Sequence, residues 1–487
     1  MMRIVWAALI VLMFATPKAM GQTNIAYCDA YATLQQCIDA ATGTGTHAGT
    51  AIMPPNLERD LSATAFLYSN TTLRCEAAAV IKQASGANLT AVLQNKHATL
   101  NGPTDSNIIV DGCIVDGNRA NNSAGTYGIS LYAQSGFQVA NVVVKNSTIQ
   151  NTSNPGIYGF NWLNVEIAEN NFSNDAGGSG NLNDGAINVV STNGASSRIF
   201  VHHNRCDATK STTGCFKFAA SNAQRILQLD VSHNSVLVGD GGSVDTLGIE
   251  LYGASVSTAI QQFVVSDNII NGPDTTNTSV FGISIGGASF GSVIGNTISN
   301  TNALGIETIG SYVTVSHNTL NSSGPIDWDG QAYPQTNVII SGNVTVGPIC
   351  RGIFLIAGGS NYLDTGTVAN NIVRAPVQAC GGQTPPPAAA VRIQGNSSSN
   401  IANVRLMDNI FQEVSANTNA VETFGSAQIQ IEGNRFDNNH GTGINLGSGG
   451  VNFTIKNNYF NGEGAFTVNG GATIVQSASN IVNGVVE

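Results

Sequence analysis

The sequence predicts an all-β fold: a right-handed parallel β-helix, a solenoid of about a dozen coils with an N-terminal capping helix. Two repeated phrases and one spacing pattern predict it. The first phrase, apolar-x-x-Asn-x-apolar, runs through Ile167-Asn170-Phe172, Val201-Asn204-Cys206, Val231-Asn234-Val236 and Val265-Asn268-Ile270. It continues through Asn296, Asn318, Asn371, Asn409, Asn434 and Asn458, with looser copies at Asn146 and Asn343. The second phrase reads Gly128-Ile129-Ser130-Leu131, Gly248-Ile249-Glu250-Leu251, Gly282-Ile283-Ser284-Ile285, Gly352-Ile353-Phe354-Leu355 and Gly443-Ile444-Asn445-Leu446. Its alternation of apolar and polar residues marks short strands with one buried face. The interval between successive Asn residues has a floor of 22, from Asn296 to Asn318, and reaches 38 between Asn371 and Asn409. Constant coils carrying variable loops give such a floor with excess. No stretch holds a 3.6-residue period long enough for a helical repeat.

The elements follow in order. Residues 1–21 read as a secretory signal peptide: Arg3 in a short basic start, an apolar run from Ile4 to Ala15, and small residues at Ala19 and Gly21 before the cut. The run is too short for a comfortable membrane span. Residues 22–105 form the N-terminal cap and first coils; within them Tyr31–Ala40 is amphipathic, with Leu34, Cys37 and Ile38 on one side. A helix laid over the end of a solenoid hides its unpaired edge. Residues 106–487 continue as the β-helix, one structural domain with the cap, and the weak repeat at Gly471–Glu487 closes the far end. At each corner Asn is expected in the left-handed conformation it tolerates, with its side chain stacking from coil to coil.

Composition fixes the setting. The eight cysteines are even in number, as in an exported, disulfide-bonded chain, and proximity suggests Cys28–Cys37, Cys75–Cys113, Cys206–Cys215 and Cys350–Cys380. No cysteine–histidine spacing fits zinc. Charged residues are only 10% of the chain against the usual quarter or so, leaving Asn, Ser, Thr and Gly to meet solvent. A net charge of −11 disfavours nucleic acid and anionic lipid as partners. The expected location is therefore secreted or extracellular (or periplasmic), with no membrane partner and the oligomeric state open.

The start of the chain resembles the pectate-lyase-like superfamily of single-stranded right-handed β-helix proteins. There a helix with the sense Q-x-x-I-D-A-A precedes G-G-T-V-x-x-P-P and a V-x-L-R-G strand. This chain has Gln35-Gln36-Cys37-Ile38-Asp39-Ala40-Ala41, then Gly49 to Pro55, then Thr72-Leu73-Arg74-Cys75. The repeats resemble the same superfamily over roughly 105–465. The resemblance implies a carbohydrate polymer as ligand and, among activities, lyases, hydrolases, epimerases and depolymerases. It does not extend to the polygalacturonase-type hydrolases: Phe281 stands where their G-H-G strand has histidine, and Thr213-Gly214-Cys215-Phe216 lacks their paired aspartates.

In the Gly-Ile-x-Leu strands the x residue alternates away from the core. These residues form one outer stripe: Ser130, Tyr158, Asn188, Lys217, Glu250, Ser284, Glu307, Asp327, Phe354, Arg392, Glu422 and Asn445. Two residues on, a parallel row carries Tyr132, Phe160, Tyr252, Asp329, Gln394 and Phe424. Charges are rare here, so their gathering on one face marks candidate chemistry. Lys217, Glu250, Glu307, Asp327, Arg392 and Asp184 (in Asn183-Asp184-Gly185) are the catalytic candidates. Tyr132, Tyr158, Asn188, Tyr252 and Asp329 are the substrate-binding ones, because rings pack on pyranose faces and polar groups bond hydroxyls. The carboxylate spacings suit either glycosidase geometry. Alternatively, Glu307, Asp327 and Asp329 hold Ca²⁺ through oxygen ligands, with Lys217 or Arg392 as base in a β-elimination. No cofactor is required by the pattern, and His202, His203, His233 and His317 read as exposed turn residues rather than a metal row. Two functions stand open: a polysaccharide lyase or glycoside hydrolase working along this face, and a non-catalytic carbohydrate-binding adhesin or surface structural protein.

Overall fold

The computed structural model describes residues 24–486 except 99–103, 124, 135, 176–184, 192–193, 210–213, 222–223, 241–244, 255–258, 274–278, 377–388, 397–399, 415–418, 438–441, 463 and 470. The signal segment and Asp184 thus lie outside the described residues. The chain is a right-handed parallel β-helix. Its described strands fall into three parallel sheets of 19, 17 and 15 members. Sheet I holds the strands before each corner Asn, such as Val139–Lys145; sheet II the three-residue strands after it, such as Thr148–Gln150; sheet III the Gly-Ile-x-Leu strands, such as Tyr127–Tyr132. Each strand pairs in register with its counterpart one coil on, as Val144 with Ile167 and Ile149 with Phe172.

The core is a column of side chains drawn from all three sheets. Phe411, Phe436 and Phe460 pile up inside sheet II, with successive ring centroids 5.2 and 4.5 Å apart. Trp162 and Trp328 are wholly buried, and each indole N–H is satisfied, by Leu131 O at 2.6 Å and Gln335 Oε1 at 2.9 Å. Gly366 faces Trp328 because it must: a Cβ there would fall 2.1 Å from the indole.

The corner differs from the expectation in one respect. The left-handed residue is the one before each ladder Asn: Glu169, His203, His233, Asp267, Gly295, His317, Gly342, Asn370 and Asp408 all have φ between 53° and 71°. The ladder Asn is turned inward and buried. Its Oδ1 accepts the main-chain N–H of the preceding rung, and its Nδ2 donates to a strand carbonyl; Asn318 does both, to Asn296 N at 2.9 Å and Val293 O at 3.0 Å. The ladder runs unbroken from Asn170 through Asn204, Asn234, Asn268, Asn296, Asn318, Asn343, Asn371, Asn409, Asn434 and Asn458 to Asn480. Asn146 is not a rung. It is itself left-handed, and Ser147 takes the inward place, accepting from Cys113 N at 3.1 Å.

The cap helix spans Leu34–Thr42, later than the amphipathic stretch suggested, because Thr33 and Gln36 close a capping box at its start and Gly43 ends it at φ 56°. Leu34, Cys37, Ile38 and Ala41 are buried over the first coil. The cap strand Thr71–Cys75 pairs directly with Ser106–Asp111. At the other end an antiparallel pair, Ile481–Val482 with Val485–Val486, stops the parallel register. Disulfides join Cys28–Cys37, Cys75–Cys113 and Cys206–Cys215, as proximity suggested. Cys350 is also disulfide-bonded, and Cys380 lies outside the described residues.

Candidate functional site on the third sheet

Strand register decides which side chains share a face, since a slip of one would send each to the opposite side. In sheet III the paired residues run Gln94, Ser130, Tyr158, Asn188, Lys217, Glu250, Ser284, Glu307, Asp327, Phe354, Arg392, Glu422 and Asn445. The predicted stripe is therefore real and its order is the predicted one. The adjoining row brings Tyr252 and Asp329 to the same face. The stripe is not openly exposed, however. Asn188, Asp327, Arg392 and Glu422 are 3, 5, 8 and 2% accessible.

Three zones follow one another along the face. The N-terminal zone is aromatic: Tyr127 stacks on Tyr158 at 4.5 Å and Tyr132 on Phe160 at 4.7 Å. Tyr132 Oη accepts from Gln94 at 3.2 Å, and burial pushes this phenol above its ordinary pKa. Lys96 Nζ sits 4.6 Å over the Phe66 ring.

The middle zone is acidic. Lys217 Nζ and Glu250 Oε2 are 3.0 Å apart, beside a small cleft lined by Gly185, Gly214 and Leu247, and Tyr252 lies under the ammonium at 5.6 Å. Ser284 Oγ donates to Glu307, the next acid on the stripe. Burial, then the neighbouring Asp329 and Glu250 charges, raise the Glu307 pKa against that hydrogen bond. Asp327 is raised well above the carboxylate range by burial and by Asp329 and Glu307; its Oδ1 has no hydrogen-bond partner among the described residues. Asp329, the most open of the three, is raised by burial while its Oδ1 accepts from Gln331 N at 2.6 Å.

The third zone is basic. Arg351 packs 4.2 Å over Phe354, and burial followed by the nearby Arg392 lowers its pKa to about 10. Arg392 lies 3.2 Å from Glu422 and 5.1 Å over Phe424. The guanidinium nitrogens Arg351 Nε and Arg392 Nε lack acceptors among the described residues.

Glu307 and Asp327 stand on adjacent rungs, with backbones ~4.8 Å apart, whereas Glu307 and Asp329 are diagonal neighbours roughly 8 Å apart by strand spacing and rise. No three His, Cys, Asp or Glu side chains converge among the described residues. The three acids therefore do not form the oxygen cage that Ca²⁺ takes, and no step is drawn through that ion.

Two groups escaped the sequence reading. Arg351 precedes its Gly-Ile phrase by one residue, and only the fold brings it against Phe354. His97 Nδ1 lies 2.8 Å from the buried Asp105, which also accepts from His97 N and Asn95 Nδ2 at 2.8 Å each. Neither belongs to a repeated phrase, so periodicity carries no signal for them.

No protein-family model and no curated protein matches the chain. Solved structures do. The Streptococcus pneumoniae surface protein and adhesin PfbA is 15% identical, covers 90% of this chain and 94% of its own, with a TM-score of 0.44. The A-module of an Azotobacter vinelandii mannuronan C-5 epimerase is 15% identical over 91% and 94% of the two chains, TM-score 0.36. A Thermotoga maritima exopolygalacturonase is 12% identical over 88% and 87%, TM-score 0.39. The chain is a single-stranded right-handed parallel β-helix, the architecture of the pectate-lyase-like proteins that its cap and repeats resemble.

Proposed function

We propose that the outer face of sheet III is a glycan groove and that this exported protein hydrolyses a polysaccharide lying along it. The observation that carries the reading is the acidic zone: Glu307, Asp327 and Asp329 on two adjacent coils, all raised in pKa by burial, Glu307 and Asp327 also by neighbouring carboxylates. A carboxyl raised by burial holds its proton to higher pH than a free one, which suits a general acid. Glu307 serves as the general acid to the glycosidic oxygen, and Asp329 activates the attacking water. Their backbones, roughly 8 Å apart on the diagonal by strand spacing and rise, put the two carboxyl groups on one face of the groove with the scissile bond between them. Asp327, too deep to meet substrate, is a positioning residue whose buried side chain backs Glu307 from the next rung. The aromatic zone stacks on sugar faces, and the Arg351 and Arg392 charges of the basic zone suit an acidic substituent. Lys217 and Arg392 are binding groups here, which disfavours the lyase alternative.

Purified mature protein is screened on acidic and neutral polysaccharides, reading reducing ends and unsaturated-product absorbance together. Reducing ends without absorbance, lost at least 100-fold in Glu307→Gln with binding retained, support the reading. Absorbance at the unsaturated product refutes it in favour of a lyase. Silence across the panel with glycan binding leaves the second reading, a binding spacer, which the internally paired Lys217–Glu250 and Arg392–Glu422 ladder favours.

A further inference from the structure

On the opposite side of the solenoid, the corner between sheets I and II carries His202, the last residue of the sheet I strand Ser196–His202, and His203, the left-handed residue at φ 55°. Their two Nδ1 atoms are 3.0 Å apart, with the rings perpendicular at 89°. His202 Nε2 lies 3.2 Å from Glu166 Oε1 on the preceding coil. A carboxylate there takes the Nε2–H and leaves the lone pair on Nδ1, the outer-shell arrangement of metal-bound imidazoles. On the far side His203 stacks on His233, ring centroids 5.0 Å apart and planes within 7°. His233 Nε2 is in turn 3.8 Å from Asp267 Oδ2.

We propose that His202 and His203 form a two-imidazole chelate for a divalent transition metal of the copper or nickel class. Two metal–nitrogen bonds of about 2.05 Å that span 3.0 Å subtend roughly 94° at the metal. That is the cis angle of square-planar or tetragonal Cu²⁺ and Ni²⁺ rather than the tetrahedral angle of Zn²⁺. A modest rotation of either half-exposed ring turns both lone pairs onto one point. Water completes the coordination, since no third protein ligand converges among the described residues. The site is consequently exchangeable, unlike a closed structural one. Without metal the same two nitrogens face one another at hydrogen-bond distance.

The test is Cu²⁺ titration of the untagged, mature full chain against glycine as competitor, with electron paramagnetic resonance of the bound ion. The expected result is one site with two equatorial imidazole nitrogens, weakened at least 10-fold in His202→Ser and in His203→Asn, and unchanged in His233→Asn. Both substitutions borrow residues that the fold already uses in those rows, Ser232 and Ser266 for the first and Asn370 and Asn457 for the second. Glu166→Gln should cost about 10-fold by loosening the outer shell. Copper affinity equal in wild type and His202→Ser, or a spectrum with a single nitrogen, overturns the proposal. None of these readouts depends on whether the sheet III face cleaves a glycan.

Discussion

Replacing Asn318 by Gly separates two accounts of the corner. If Asn were there for its backbone conformation, Gly would serve at least as well, since it adopts positive φ at no steric cost. In the structure Asn318 instead supplies Oδ1 to the main-chain N–H of Asn296 at 2.9 Å and Nδ2 to the carbonyl of Val293 at 3.0 Å. Asn318→Gly strips a partner from both. Each buried main-chain group left unpaired costs about 1–3 kcal/mol, so the loss should reach about 2–6 kcal/mol. Asn343 keeps one donor, because the Asn318 main-chain N–H still reaches its Oδ1 at 2.9 Å, and the damage stays local. Asn370→Gly is the control: exposed, left-handed at φ 56°, in a row that already holds Gly295, Gly342 and Gly433. It should lie within ~1 kcal/mol of wild type. Urea unfolding followed by fluorescence of the buried Trp162 and Trp328 measures both. An Asn318→Gly protein within ~1 kcal/mol of Asn370→Gly would refute the ladder reasoning.

Other consequences are as direct. Asp175 and Asp327 are both raised in the folded chain by burial. A raised carboxyl binds its proton more tightly when folded, so its stabilising contribution is complete below the unfolded value and is lost as pH rises through the folded one. Stability should accordingly fall from pH ~4 upward through the neutral range, and Asp327→Asn should flatten that fall; a slope unchanged in the variant counts against it. Gly366→Ala forces a Cβ to within 2.1 Å of the Trp328 ring, and should destabilise by about 1–3 kcal/mol with a shifted tryptophan emission. An unshifted spectrum would mean the indole does not pack there. Cys113→Ser opens the bridge to Cys75 across a separation of 38 residues, and chain entropy puts its loss at about 4 kcal/mol, read as a lower urea midpoint.

Much of this was legible in the primary structure, for one physical reason: in a solenoid each coil repeats the same environment, so local pattern and tertiary neighbour coincide. Alternating residues in Gly-Ile-x-Leu set the sheet III face, and equal coil lengths set which x residues meet, from Ser130 to Asn445. Cysteines close in sequence or one coil apart were bridged for the same reason. Tertiary structure alone decided the rest. The corner phrase named Asn but not its orientation, since Asn suits both a left-handed turn and a buried hydrogen-bond ladder. Only the neighbouring coil, whose N–H needs an acceptor, turns Asn318 inward and passes the turn to His317. A second left-handed row in sheet I, rich in amides such as Asn107, Asn141, Asn164, Gln228 and Gln262, is interrupted by Arg198, Phe290 and Tyr312 and so left no single repeated phrase. Burial was likewise invisible: the register put Lys217, Asp327 and Arg392 outside the core, yet they are only 9, 5 and 8% accessible. A run of acids in sequence is only a charge, whereas the fold buries Glu307, Asp327 and Asp329 on adjacent coils and raises their pKa values.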